Sequence, residues 1–291
     1  IPDEETLKNA PTPYYFRDEN RYEYFKRTEF NKNQWEAIIK RCKKNKIKFM
    51  CSVFSEKSLV NLIKLGVQNI KIPSGEITNN FLIKKINNYK NINLFVSTGM
   101  SSWKEIDNAL KILKIKKIVL MQCTSLYPCP PQKAGLNIIS EMKKRYSNKY
   151  IYGFSDHTQG NEAAILAMSL GAKVFEKHLT FSKSMYGSDA KFAMEPEEFT
   201  QYVHGLKKTR KILNSRVNKD KIKEVNKMKK VFEKKIILNF NRKKGDIIRE
   251  KDLILRKSND GIFSSQINKV VGKRLKKSLK AKTAIKLKHI C

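Results

Sequence analysis

Apolar residues recur along this chain with two alternating periods. Short β-prone runs at 47–54, 67–73, 92–97, 117–124, 150–156 and 173–180 predict strands. Between and after them the apolar positions fall at helical spacing, at about 56–65, 80–88, 103–113, 136–146, 160–170 and 196–213. A further helix is expected after Asn31, a good N-cap residue, with Trp35, Ile38, Ile39 and Cys42 on one face. Gly171 stands where a left-handed cap should stop the helix at 160–170. Residues 1–31 hold Pro2, Pro11, Pro13 and a tyrosine-rich tract, and contain no convincing strand. Regular alternation of strand and helix implies a parallel sheet with helices outside it. The pattern then changes. A basic stretch, 214–230, reads as a linker, and 231–291 reads as a separate small β domain of short runs punctuated by Gly245, Gly261 and Gly272.

At 291 residues and 40% hydrophobic content the chain can bury one large core and one small one. No run of eighteen apolar residues occurs, and the start lacks the order of a signal peptide, so the expected location is cytoplasmic, with no membrane partner. Five cysteines, none in a CxxC pair, suggest neither a disulfide framework nor a thiolate zinc site. The formal charge of +34 raises nucleic-acid binding as a possibility. The lysines, however, are spread over every predicted helix without a zinc finger or aromatic-spaced motif, so no specific nucleic-acid partner is expected. The field favours anionic substrates.

Parallel α/β sheets bind ligands at the carboxyl ends of their strands. Here those ends are polar while the strand bodies are apolar. Ser52 closes the first run, Lys71-Ile-Pro-Ser-Gly-Glu76 the second, Ser97-Thr-Gly-Met100 the third, and Gln122-Cys-Thr-Ser-Leu-Tyr-Pro128 the fourth. His157 and His178 end the last two. Two neutral imidazoles from adjacent strand ends make half of a divalent-metal site, although a lone strand-end histidine is more often structural. Ser-Gly and Thr-Gly turns before helices present N–H groups to phosphate or carboxylate, although such serines are usually helix caps. Lys71, between Ile70 and Ile72, has no solvated face on a covered strand, and a rim position beside an anion accounts for it. Glu76 could cap a helix, and Tyr127 could serve packing alone.

The segments KIPSGEITN, STGMSS, LMQCTSLYP, GFSDHT and AKVFEKHLT, with YGSDAKFAMEPEEF and NDGIFSSQINKVVGKRLKK after them, resemble in order and spacing the sialic acid synthases, the group that includes legionaminate and pseudaminate synthases. The resemblance covers nearly the whole chain. It implies a (β/α)8-type barrel over 1–213, N-terminally incomplete with six βα units present, a linker at 214–230 and a small antifreeze-like SAF domain at 231–291. It implies condensation of phosphoenolpyruvate with an N-acylated amino-sugar aldehyde to a nine-carbon acid, with release of phosphate. His157 and His178 match the positions that hold Mn2+ or Mg2+. Lys71, Ser74, Ser97, Ser125 and Ser155 match phosphoenolpyruvate-binding positions, with Ser52 where a threonine is usual. Glu76, Tyr127 and Asp189 match positions facing the reacting centre or the acceptor. The resemblance also implies a homodimer in which each small domain covers its partner's rim.

The sequence departs from the family pattern in two places. The small domain's usual Arg-Pro is replaced by Lys257 and Ser258, with Arg256 adjacent, and lysine cannot reproduce a planar two-pronged fork. The motifs that open the family's barrel, including a glutamate near the metal, do not occur, so an open barrel with edges at the first and last strands and little turnover is expected. Two other readings compete with the synthase: a noncatalytic remnant or basic binding module, and a phosphoenolpyruvate-dependent synthase of other deoxy-sugar acids.

Overall fold

The computed structural model describes residues 20–221 and 223–291. The proline-rich start, residues 1–19, therefore lies outside the described residues. The chain divides into two compact units, Ile1–Ser215 and Arg216–Cys291.

In the first unit six parallel strands lie side by side in chain order: β1 (Met50–Ser52), β2 (Asn69–Ile72), β3 (Asn93–Ser97), β4 (Ile118–Cys123), β5 (Ile151–Asp156) and β6 (Val174–Lys177). Two helices precede the sheet, α1 (Arg21–Thr28) and α2 (Lys32–Lys44). One helix follows each strand: α3 (Glu56–Lys64), α4 (Asn80–Ile86), α5 (Trp103–Ile112), α6 (Asn137–Tyr146), α7 (Glu162–Leu170) and α8 (Pro196–Asn214). Asn31 caps α2 as expected, and Gly171 ends α7 with φ +111°. α1 is not among the expected helices; Asn20 and Glu23 cap it with a capping box.

Strand register assigns the two faces. Ile70, Leu94 and Ile118 are paired neighbours, as are Ile72, Val96 and Leu120. These rows are buried with Leu59, Ile83, Ile86, Ile106 and Leu110 of the helices. The opposite face must then carry Lys71, Ser97, Cys123, Ser155 and Glu176, because side chains alternate along a strand.

That second face is concave. In a flat sheet β2 and β6 would stand about 19 Å apart, at four inter-strand spacings. Yet Lys71 Nζ on β2 lies 2.5 Å from Glu176 Oε1 on β6. Fully extended, the two side chains plus that contact span roughly 13 Å, so the sheet curls into a half-barrel, as the resemblance implied. Its edges are β1 and β6.

β3 and β5 end at Ser97 and Asp156 as expected, whereas β1, β2, β4 and β6 end earlier than the sequence suggests. β6 stops at Lys177 rather than at 180, because the His178 carbonyl accepts from Met194 N–H (2.9 Å) and Leu179 bridges to Met194 instead of β5. His157 and His178 thus stand one residue beyond the last ladder pair, Asp156 and Lys177.

In the second unit β7 (Lys235–Leu238) pairs antiparallel with β8 (Leu253–Arg256), and isolated bridges join Ile237 to Ala284 and Ile247 to Arg274. Ile236, Leu238, Ile248, Val270, Leu275 and Ile285 form its core. The stretch 214–230, expected to be a linker, holds most of a helix, α9 (Lys223–Phe232), because Val225, Met228 and Val231 recur every three residues.

Asp252 is 1% exposed, accepts from the Arg249 N–H (2.9 Å) and pairs with Arg242. Burial alone would raise its carboxyl, but the Arg249 N–H and the Arg242 guanidinium hold it below the ordinary value. A lowered folded-state value gives stability that is complete above the unfolded carboxylate range, near pH 4, and is lost as pH falls through the folded value. Asp252→Asn should therefore lower the unfolding midpoint in urea at pH 7 and make less difference at pH 3. An equal difference at both pH values would disprove this account.

Candidate active site

The concave face brings most of the expected residues together from all six strands. Ser52 ends β1 beside Lys71, its register partner on β2. Ser74, two residues past the end of β2, accepts from the Gly99 N–H (3.1 Å). Gly99 follows β3, and a Cβ built on it would lie 2.5 Å from Ser125 Oγ and 2.8 Å from both Ser74 Oγ and Cys123 Sγ. Only glycine lets these loops close into one small-residue cradle. Ser97, 1% exposed, has a buried hydroxyl with no partner, an arrangement that is rare unless a ligand or water completes it. The serines separate by role: Ser55 and Ser102 cap α3 and α5, whereas Ser74, Ser97 and Ser155 point their chemistry into the cradle or across the sheet.

Glu176 was missed as a site residue. Its Oε1 accepts from both Lys71 Nζ (2.5 Å) and Ser155 Oγ (2.8 Å). Burial would raise its carboxyl, but Lys71 outweighs that and holds it below the ordinary value. The signal was present in the sequence: Glu176 is two residues before His178, and so shares its face of the strand.

The two histidines lie on the same rim, with ring centroids 5.2 Å apart. His157 Nδ1 is 2.8 Å from the Thr124 carbonyl, which can only accept, so Nδ1 carries the proton and Nε2 keeps its lone pair. His178 Nδ1 faces Asp189 Oδ2 at 3.5 Å, which favours the same tautomer. Burial would depress the His157 pKa, but Cys123, the Thr124 carbonyl and Glu176 raise it above the usual value. Burial lowers the His178 pKa, and His157 and Lys71 add to the effect against Asp189, so His178 is neutral at neutral pH. Two imidazoles sharing one cation through Nε2 need ring centroids roughly 5 Å apart, and this pair fits. Among the described residues no group of three or more His, Cys, Asp or Glu is placed to hold a metal.

The remaining expected residues divide. Tyr127 packs on both rings, 4.3 Å from His157 and 5.7 Å from His178 between centroids. Asp189 belongs to the site through His178. Glu76 accepts from Asn79 Nδ2 (2.8 Å), and Asn79 caps α4, so this contact serves the helix start. Arg256 and Lys257 lie on the second unit, Arg256 exposed at the end of β8 and the Lys257 ammonium 5.0 Å from the Phe232 ring centre. A separate cavity of about 360 Å³ is lined by Thr158, Lys177, Lys183, Glu198 and Tyr202, among others. Lys177 and Lys183 there are already paired, with Asp156 and Glu198.

A curled parallel sheet with helices outside, and a serine-lined concave face at its strand ends where Lys71 pairs with Glu176, defines an α/β half-barrel. Within that class the chain belongs to the NeuB family, whose model matches residues 2–218, and a SAF domain matches residues 243–290. It is 31% identical over 287 residues to the N,N'-diacetyllegionaminic acid synthase of Campylobacter jejuni subsp. jejuni serotype O:2, covering 94% of this chain and 84% of the relative. The protein of the same name from Legionella pneumophila is 33% identical over 289 residues, covering 97% and 79%. Among solved structures, the N-acetylneuraminic acid (sialic acid) synthetase of Leptospira borgpetersenii in complex with citrate superposes with a TM-score of 0.64 at 30% identity, covering 71% of this chain and 73% of that one. Among the described residues no helix is long and apolar enough to cross a membrane.

Proposed function

We propose that this chain condenses phosphoenolpyruvate with an open-chain N-acylated amino-sugar aldehyde, forming a nonulosonic acid and releasing phosphate. The observation that carries the reading is the convergence of Lys71, Ser74, Gly99, Ser97 and Ser155 beside the histidine pair on one concave face. The names of the matched relatives support it. In this reading Lys71, Ser74, Ser125 and the Gly99 loop receive the phosphate and carboxylate oxygens, with Ser52, Ser97 and Ser155 completing the seat. His157 and His178 hold Mn2+ or Mg2+ through Nε2, which when bound supplies Lewis-acid polarisation of the aldehyde oxygen. Tyr127 walls the reacting centre, Asp189 orients His178, and Glu76 faces the acceptor. The enol carbon bonds to the aldehyde carbon, water adds to the resulting cationic carbon, and the C–O bond to phosphate breaks. The reading includes a homodimer in which Arg256 or Lys257 reaches the partner's acceptor sugar.

The test is phosphate release from phosphoenolpyruvate with Mn2+ and either N-acetylmannosamine or a dideoxy di-N-acetyl hexose as acceptor. With the family's opening barrel motifs supplied, release is expected with one of the two acceptors and is expected to fail in Gly99→Ala, whose new methyl group fills the cradle; without those motifs little release is expected. No release with any acceptor would favour a noncatalytic binding module, and release with simple sugar phosphates instead would favour another deoxy-sugar acid synthase. A fully active monomer in sedimentation would remove the dimer.

A further inference from the structure

We propose that Asp156, Thr158 and Lys177 are positioning residues that set the separation of His157 and His178 from behind the sheet. The inference rests on the reading that these histidines share one cation.

Alternation sends Ser155 and His157 to the concave face and Asp156 and Thr158 to the helix side; on β6 it sends Glu176 and His178 inward and Lys177 outward. The three outward residues meet. Lys177 Nζ lies 3.0 Å from Asp156 Oδ2, with side chains 3% and 0% exposed. The same ammonium donates to the Thr158 carbonyl, and Asp156 Oδ1 accepts from the Thr158 N–H (2.9 Å) and Oγ1 (2.7 Å). The remaining side of Lys177 faces the Tyr202 ring, 5.7 Å away.

The cluster therefore joins the residue before His157, the residue after it and the residue before His178. Its place matters because Asp156 and Lys177 are the last ladder pair, so regular sheet hydrogen bonding ends just before both histidines. Beyond it each histidine's backbone carbonyl is held by a loop amide, from Cys129 for His157 and from Met194 for His178. Those amides tie His157 to the loop after β4 and His178 to the loop after its own strand. The buried cluster ties the two histidine segments to each other by side chains from behind, as the Ser155–Glu176 bond does on the concave face. An apolar pair would pack these strands equally well, since a buried ion pair seldom adds net stability. Charged, directional hydrogen bonds instead fix an orientation, and metal ligation tolerates only about 0.2 Å of error.

The test compares wild type, Thr158→Val, the double variant Asp156→Leu with Lys177→Met, and His178→Ala. The double change removes both charges, so neither is left buried alone. Circular dichroism establishes folding, electron paramagnetic resonance of free Mn2+ measures affinity, and activity is followed as a function of Mn2+. Loss of a partner bonded to the ligand itself typically costs 10- to 100-fold in metal affinity; this cluster acts one step further out, through the backbone, so a smaller loss, about 3- to 10-fold, is expected. A folded double variant should show a loss in that range, with activity regained as Mn2+ is raised, whereas His178→Ala should not recover. If the double variant does not fold, Thr158→Val, which deletes one bond and keeps the shape, should still weaken Mn2+ measurably. Wild-type affinity in whichever variants fold would overturn the proposal while leaving the histidine reading intact. No Mn2+ uptake by wild type, or unchanged uptake by His178→Ala, would overturn both.

Discussion

His178→Ala should abolish Mn2+ uptake and lower turnover by about three orders of magnitude or more, the scale on which removing a group that stabilises developing charge acts. Among the described residues no third histidine stands beside the pair to replace His178. Its Nε2 is available because Nδ1 faces Asp189, and burial keeps the ring neutral, the form that can ligate. On the proposed reading the variant would keep one histidine ligand, and among the described residues no group of three or more His, Cys, Asp or Glu is placed to hold a metal. Adding Mn2+ raises occupancy only if a site of defined geometry remains, so excess metal should not rescue the variant. Resonance titration of Mn2+, alongside phosphate release at saturating phosphoenolpyruvate, checks both statements. Full activity in the variant would remove the cation from the mechanism.

Much of this site was legible because β-strands have a short, rigid period. Lys71 between two isoleucines had to face something other than the helix layer, and the structure aims it into the concave face. His157 and His178 were found from their places just after apolar runs. What escaped depended on register. Asp156 was read as part of a motif and Lys177 as strand body, since nothing local says that they are opposite each other on β5 and β6. Glu176 escaped for a different reason: its partner, Lys71, lies 105 residues away and reaches it only because the sheet curls. The helix at 21–28 was hidden by a tyrosine- and charge-rich composition without an apolar stripe, and it buries no residue. At 223–232 lysine content masked a three-residue apolar repeat.

Lys71→Met should weaken phosphoenolpyruvate binding more than the loss of one cation would suggest, because it also changes what Glu176 does. In the native chain the Glu176 carboxylate is bonded to Lys71 and Ser155, so the two charges cancel within the seat. Methionine keeps the volume and removes the ammonium, leaving a carboxylate, 26% exposed, beside the place where a phosphate and a second carboxylate must sit. Like charges about 4 Å apart in such partly screened surroundings repel by about 4 kcal/mol, which solvent at the open rim reduces. Affinity should therefore fall by roughly two orders of magnitude or more. Glu176→Gln removes the repulsion and leaves Lys71 unopposed, so it should bind phosphoenolpyruvate at least as tightly as wild type, whatever it does to turnover. The double variant, Lys71→Met with Glu176→Gln, should recover part of the affinity lost by Lys71→Met. Calorimetric titration of the four proteins forms a double-mutant cycle that isolates the pair. Wild-type affinity in Lys71→Met would remove Lys71 from the anion seat. A double variant as weak as Lys71→Met would keep Lys71 there as a direct ligand but show that Glu176 does not oppose the substrate.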